Sequence, residues 1–142
     1  ALDAGRVMLS RLKELGRQRK NIAFESTLAS RTFAPWIREL KKEGYRFHLF
    51  YFWLPSPEAC VNRVRERKSL GGHFVPSETI HRRYHAGIRN FFELYAPIAV
   101  NWHFFDNTHK PRVLLASGGE DIDEEIYNAA IWDKLKQEYQ RV

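Results

Sequence analysis

Apolar positions near the start of the chain recur every three or four places. Met8, Leu12 and Leu15 share one face with lysines and arginines between them, which predicts a helix over Leu2–Arg19. An apolar run at Asn21–Glu25, ending on a carboxylate, predicts a short buried strand. Phe33, Trp36, Ile37 and Leu40 return to helical spacing, with Ser30 as the expected cap and Gly44 as the stop. Tyr45–Leu54, YRFHLFYFWL, is apolar and aromatic almost without interruption, the pattern of a central parallel strand covered on both faces. Pro55 and Pro57 stop it, and Pro57 suits the first turn of a helix running to about Lys68. Pro76 and Ser77 start a further helix with Ile80, Tyr84, Ile88, Phe91 and Tyr95 on its buried side, ended or kinked at Pro97. Trp102–Phe105 is the next strand, running out at Asp106 and Asn107, and Arg112–Ser117 reads as an edge strand or hairpin partner. Asp121 is the expected cap of a last helix carrying Ile122, Ile126, Ala129, Trp132, Leu135 and Tyr139 on one face.

Strands alternating with helices predict an α/β layered sheet, and the absence of repeats, low-complexity tracts and linkers predicts one domain over residues 1–142. With 142 residues, 44% hydrophobic and 14% aromatic, the chain can bury a real core, which excludes disorder as its class. A net charge of +6 favours an anionic partner: nucleic acid, nucleotide or acidic lipid. The single cysteine, Cys60, excludes an internal disulfide, so a cytoplasmic location is expected. No apolar run approaches the roughly 20 residues of a membrane span, and no secretory signal is expected. The chain opens on Ala1 directly in a helical pattern, so it reads as a piece of something longer.

The segment from Arg63 to Tyr84, RVRERKSLGGHFVPSETIHRRY, concentrates the candidate chemistry. Arg63 and Arg67 lie on the helix entering a Gly-Gly-His loop, and Arg82 and Arg83 on the helix leaving it. Guanidinium groups on both sides of a glycine hinge suit a flap that closes on a transferring phosphoryl group. For any single arginine a solvated basic face is the commoner role, and recurrence across the hinge favours function. Yet the phosphate-holding loop G-x-x-x-x-G-K-[ST] occurs nowhere in the chain. Ligands in open α/β sheets bind beyond the carboxyl ends of the strands, where Glu25-Ser26-Thr27 and Asp106-Asn107-Thr108 fall. Glu25 and Thr27 suit orientation of a substrate hydroxyl; capping of the next helix by Ser26, Thr27 or Ser30 is an equal alternative that leaves Glu25 unexplained. His73 in the hinge either touches phosphate or is only a loop residue. His81 and His85 lack a third ligand and Cys60 lacks a zinc-spaced partner, so no metal site is expected on these residues.

The motifs FEST, HLFYFWLPSPE, NRVRER, GGHFVP, TIHRRY, NFFELY and FDN follow one another in an order that resembles the zeta-toxin-like P-loop kinases. The likeness is strongest to the bacterial branch labelled predicted ABC-type ATPase, over about residues 5–108. It implies a three-layer, mostly parallel sheet of P-loop kinase type, with the Walker A strand and loop N-terminal to Ala1 and missing from this chain. It implies transfer of the γ-phosphoryl group of ATP, with Mg2+, to a hydroxyl of a small molecule, a nucleotide-sugar precursor in the better-known zeta toxins. The family's Glu-x-Thr substrate element matches Glu25 and Thr27. Its lid arginines match Arg63, Arg67 and Arg82 or Arg83, and its Asp-Asn near the nucleotide base matches Asp106 and Asn107. On this pattern Arg67, Arg82 and Arg83 are the expected catalytic groups, and Arg63, His73, Asp106 and Asn107 the nucleotide contacts. His73 stands where the better-known zeta toxins carry an arginine. Without the P-loop, the piece is expected to hold ATP and Mg2+ weakly or not at all and to be inactive alone.

The implied partners are a nucleotide and a small-molecule substrate, with an antitoxin-like protein as a candidate and no membrane. Two other classes remain beside the kinase. One is a basic nucleic-acid-binding module, which the charge fits only loosely. The other is an interaction module docking a protein through Trp132 and Tyr139, although a helix that simply covers the sheet is the commoner outcome.

Overall fold

The computed structural model describes residues 2–140, with side chains from residue 4 onward. Helix α1 spans Leu2–Arg17 and α2 Phe33–Lys42. Strand β1 is His48–Trp53, α3 is Pro57–Ser69 and α4 is Ser77–Asn90, which runs on through a π-helical turn, Phe91–Tyr95, and a 3-10 turn, Ala96–Ile98. Then come β2 (Asn101–Asp106), β3 (Val113–Gly118), β4 (Glu125–Ile126) and α5 (Ala129–Tyr139). The strands lie in the order β1-β2-β3-β4.

The local signals that succeed do so for local reasons. Ser56 caps α3, its hydroxyl accepting from the Ala59 amide at 3.1 Å with Pro57 in the first turn. Gly44, at φ +96°, ends α2: the Tyr45 amide reaches Leu40 O at 3.0 Å and the Gly44 amide Lys41 O at 3.1 Å. That paired closure requires a left-handed residue, which glycine supplies without strain.

Several expectations are corrected. Asn21–Glu25 forms no strand. Its alternation is real, with Ile22 and Phe24 half-buried between exposed neighbours, but Phe24 packs on Phe33 and Trp36 instead of joining a ladder. A strand needs a neighbour to complete its hydrogen bonds, and no described strand lies beside this segment. β1 is at one end of the described sheet, not at its centre, and one of its faces is open: Phe50 is 55% exposed and Phe52 48%. The sheet is mixed instead of mostly parallel. Only β1 and β2, joined through the α3–α4 crossover, run parallel; β2–β3 and β3–β4, joined by short turns, are antiparallel. Thr32, not Ser30, precedes α2, and it makes no side-chain cap. The last helix begins at Ala129 under Asn128, whose side chain accepts from the Ile131 amide at 3.1 Å, so Ile126 lies in β4 and Asp121 in a loop where it pairs with Arg46.

The core packs α4, its π-helical continuation and α5 against one face of the sheet and takes in Leu12 of α1 and Phe33, Ala34 and Ile37 of α2. Phe104 is fully buried, with Phe91 and Tyr51 rings at 5.0 Å and Trp132 at 5.1 Å. Trp102 stacks on Trp132 at 5.4 Å, so α5 covers the sheet as the plainer reading of Trp132 anticipates. The opposite face carries Phe50 stacked on His103 and Phe52 stacked on Phe105, with no described helix over Phe50 and Phe52. The third layer implied by the resemblance is therefore not found among the described residues.

Three phenols, of Tyr51, Tyr84 and Tyr139, are pushed above their usual range, chiefly by desolvation, that of Tyr139 to about 12. The folded chain holds these protons more tightly than the unfolded one. Their contribution is whole below the unfolded value near 10 and is lost as pH climbs toward the folded value. Urea denaturation should therefore show stability falling above about pH 10, with a smaller fall in Tyr139→Phe. The two sheet faces should also respond differently. Phe104→Ala should cost about 3–5 kcal/mol and Phe50→Ala under about 1 kcal/mol, and equal costs would contradict the one-sided core.

Candidate functional site

The turn that carries Glu25 and Thr27 is strapped down from beneath. Asn90, 4% exposed near the end of α4, donates from its amide to Leu28 O at 2.9 Å and Ala29 O at 3.0 Å. The Tyr95 hydroxyl donates to Ser30 O. Leu28 is held at φ +63°, a conformation costly for a side chain with a Cβ, so the surrounding bonds determine it. Gly87 allows the close approach, since a Cβ there would stand 2.4 Å from Thr27 O. The Ser26 hydroxyl accepts from the Leu28 amide at 2.8 Å, and Thr27 Oγ1 accepts from Ala29 N at 3.4 Å. Both hydroxyls thus shape their own turn and do not cap α2. Glu25 is exposed and has no ion pair among the described residues.

The α3–α4 pair forms the predicted arginine-bearing hairpin. Arg63 is half-buried, and its Nη2 donates to Asn107 O at 2.7 Å and Thr108 O at 3.4 Å. Arg67 and Arg82 are exposed and Arg83 half-buried, and none has a salt bridge among the described residues. The Arg67 carbonyl accepts the Gly72 amide at 2.7 Å, and Gly71 takes φ +92° to make that reversal. His73 is exposed in the loop, beside Phe74, whose ring lies 4.5 Å from the Lys68 ammonium. His85 Nδ1 bonds to the Tyr139 hydroxyl at 2.7 Å, and His81 lies 3.9 Å from Glu58, so the two histidines face different partners. Burial pushes the Cys60 thiol above its usual range, which disfavours a thiolate.

The third cluster sits where the parallel pair ends. The Asn107 amide donates to Trp53 O at 2.8 Å, which carries the pairing with β1 one residue past the end of β2. Asp106 Oδ1 accepts from the Thr108 amide at 2.9 Å and from the Thr108 hydroxyl, closing a turn. Asn107 is then gripped twice: Arg63 takes its carbonyl, and Arg112 Nε donates to its Oδ1 at 2.9 Å.

Of the expected site residues, Arg63, Asp106 and Asn107 come together, and Glu25 and Thr27 share one braced turn. Among the described residues no hydrogen bond or salt bridge joins Arg67, Arg82, Arg83 or His73 to either group. Sequence reasoning missed Asn90, Gly87 and Arg112. A polar Asn inside the apolar stretch from Ile88 to Tyr95 was the available signal for the first.

Comparison with known proteins bears on what this arrangement belongs to. The model of the family described as Zeta toxin matches residues 1–110 of the 142. An uncharacterized protein of Haemophilus influenzae is 28% identical over 83 residues, 58% of this chain and 59% of that protein's length. No solved structure matches the chain.

Asn90→Ala should release the Glu25–Ser30 turn, because the buried Leu28 carbonyl and the part-buried Ala29 carbonyl lose their donor. Urea denaturation should show a loss of about 2–3 kcal/mol, and a Glu-specific protease should cut after Glu25 faster. A loss under about 0.5 kcal/mol with unchanged cleavage would remove Asn90 from this role.

Proposed function

The chain belongs to the zeta toxin family, and from that premise we propose that it is the lid-bearing part of an ATP-dependent kinase. The reaction is transfer of the γ-phosphoryl group to a hydroxyl of a small molecule, with a nucleotide sugar as the leading candidate. The single observation that carries the reading is Arg63. A guanidinium from the crossover hairpin is anchored at Asn107, at the carboxyl end of the parallel pair, where α/β sheets bind ligands.

Each residue then has a task. Glu25 and Thr27, on their braced turn, orient the acceptor hydroxyl and draw its proton toward the carboxylate. Arg67, Arg82 and Arg83 swing in with the α3–α4 loop and neutralise charge on the phosphoryl oxygens. Arg63, His73, Asp106 and Asn107 hold the nucleotide end. Mg2+ bound with ATP would screen the phosphate charge, and among the described residues no group of three or more acidic, His or Cys residues is set to hold it.

Two features support a second part of the site. Among the described residues β1 has an unpaired outer edge, and Asn21–Glu25 keeps strand-like alternation with no neighbouring strand. A strand lying between them, bearing G-x-x-x-x-G-K-[ST], would satisfy both and supply the loop that grips phosphate. By itself this chain then binds ATP weakly and transfers nothing.

The gene provides the first check: the reading frame upstream of Ala1 should encode G-x-x-x-x-G-K-[ST], and an in-frame stop there sinks the kinase. In the complete gene product, transfer from γ-labelled ATP to nucleotide sugars should fall about 100-fold or more in Arg67→Ala, with circular dichroism unchanged. Unaltered turnover in that variant removes Arg67 from the mechanism.

A further inference from the structure

A cavity of about 180 Å³ opens beside the core near the amino end of β2. The π-helical turn gives it Phe91 and Phe92, β2 gives it Trp102, and α5 gives it Trp132. All four side chains are buried, so its inner wall is core and not surface. Trp102 and Trp132 stack at 5.4 Å with their planes 15° apart, and the Phe92 ring lies 5.1 Å from that of Trp132. A wall of flat rings of this kind receives another flat ring well. Trp102 is near the start of β2, whereas Asp106 ends it and Asn107 follows. The cavity is therefore a different place from the turns assigned to phosphoryl transfer.

Its polar groups lack partners. Trp132 is 2% exposed, and its Nε1 is buried with no hydrogen-bond partner among the described residues. Buried donors are nearly always paired, because leaving one unmade is costly. Lys136 and Gln140 follow Trp132 at steps of four and line the same cavity, so one stripe of α5 and its cap presents an indole N–H, an ammonium and an amide. Glu124, in the loop before β4, borders it too. Among the described residues neither Glu124 nor Lys136 forms a salt bridge, although both border one cavity.

We propose that this cavity binds a free aromatic α-amino acid. Its ring lies against Phe91, Phe92 and Trp132. Its carboxylate accepts from Lys136 and from the Trp132 indole, which stand one helical turn apart, within reach of the two oxygens of one carboxylate. Its ammonium donates to Glu124. The volume sets the size of the ligand: drug-sized molecules occupy roughly 300–1,000 Å³, so 180 Å³ suits a single ring with a short polar tail. A ligand with only a negative charge would leave Glu124 opposed to it, and one with only a positive charge would do the same to Lys136.

The test titrates this chain by calorimetry with phenylalanine, 3-phenylpropionate, phenethylamine and N-acetylphenylalanine amide. Phenylalanine should bind with a Kd below about 1 mM. Phenylpropionate, which lacks the ammonium, and phenethylamine, which lacks the carboxylate, should each bind about tenfold more weakly, and the uncharged amide more weakly still. These analogues probe both charges without any mutation. Lys136→Gln and Glu124→Gln should each weaken phenylalanine by about tenfold, and Ala96→Leu, which adds bulk to the cavity wall, should abolish binding. Lys134→Gln removes the same charge from an exposed position of α5 and should change nothing. The proposal is overturned by no saturable binding of phenylalanine, by an uncharged amide that binds as tightly, or by a loss in Lys134→Gln equal to that in Lys136→Gln. None of these outcomes depends on phosphoryl transfer, so the site and the kinase reading stand or fall separately.

Discussion

Burial of Trp102 and Phe104 is the constraint on which the rest of the fold depends. Both point from β2 to the same side of the sheet, where rings from three other elements meet them. Phe91 and Phe92 come from the π-helical turn, Trp132 from α5 and Tyr51 from β1. Aromatic side chains of this size bury large apolar areas and prefer tilted or offset neighbours, so few arrangements satisfy all of them at once. The consequence is a firm inner face and an outer face that keeps its aromatics in water.

That packing also sets the site. With β2 fixed against β1, their ends coincide, and the Asn107 amide closes on Trp53 O to extend the pairing into the loop. The loop is therefore rigid where Arg63 and Arg112 meet it. On the other side, α4 is pressed against the core at Ile88 and Phe91. That brings Asn90 under the Glu25–Ser30 turn and leaves room at Gly87 for its carbonyl. Two separate turns with candidate chemistry are thus braced by the same helix–sheet contact, although they lie far apart in sequence.

How much of this was legible differs residue by residue. Helices α1 to α4 read correctly from periodicity, from Pro57 and from Gly44, because those signals act within one or two turns of chain. The bond from Arg63 to the Asn107 carbonyl was not readable, since the two residues are 44 positions apart. The bracing of the Thr27 turn by Asn90 was not readable, since Asn90 lies 62 and 61 positions from the two carbonyls it serves. The strand expected at Asn21–Glu25 and the central place expected for β1 failed together and for one reason. Both depend on a neighbouring strand, and hydrophobic pattern reports how much a segment wants to be buried, not what stands beside it.

By itself the sequence determined the family, the helical segments and their stops, the strand at β2 and the residue types that suit phosphate chemistry. These are properties of short windows, where dihedral preference, capping and side-chain spacing act directly. Only the tertiary structure decided which strands pair in which direction, which face of β1 stays open, and which carbonyls receive Asn90. It also decided that Arg63 and Arg112 both bond to Asn107. Those outcomes come from long-range contacts, whose energies depend on the whole packed arrangement and cannot be summed from neighbours along the chain.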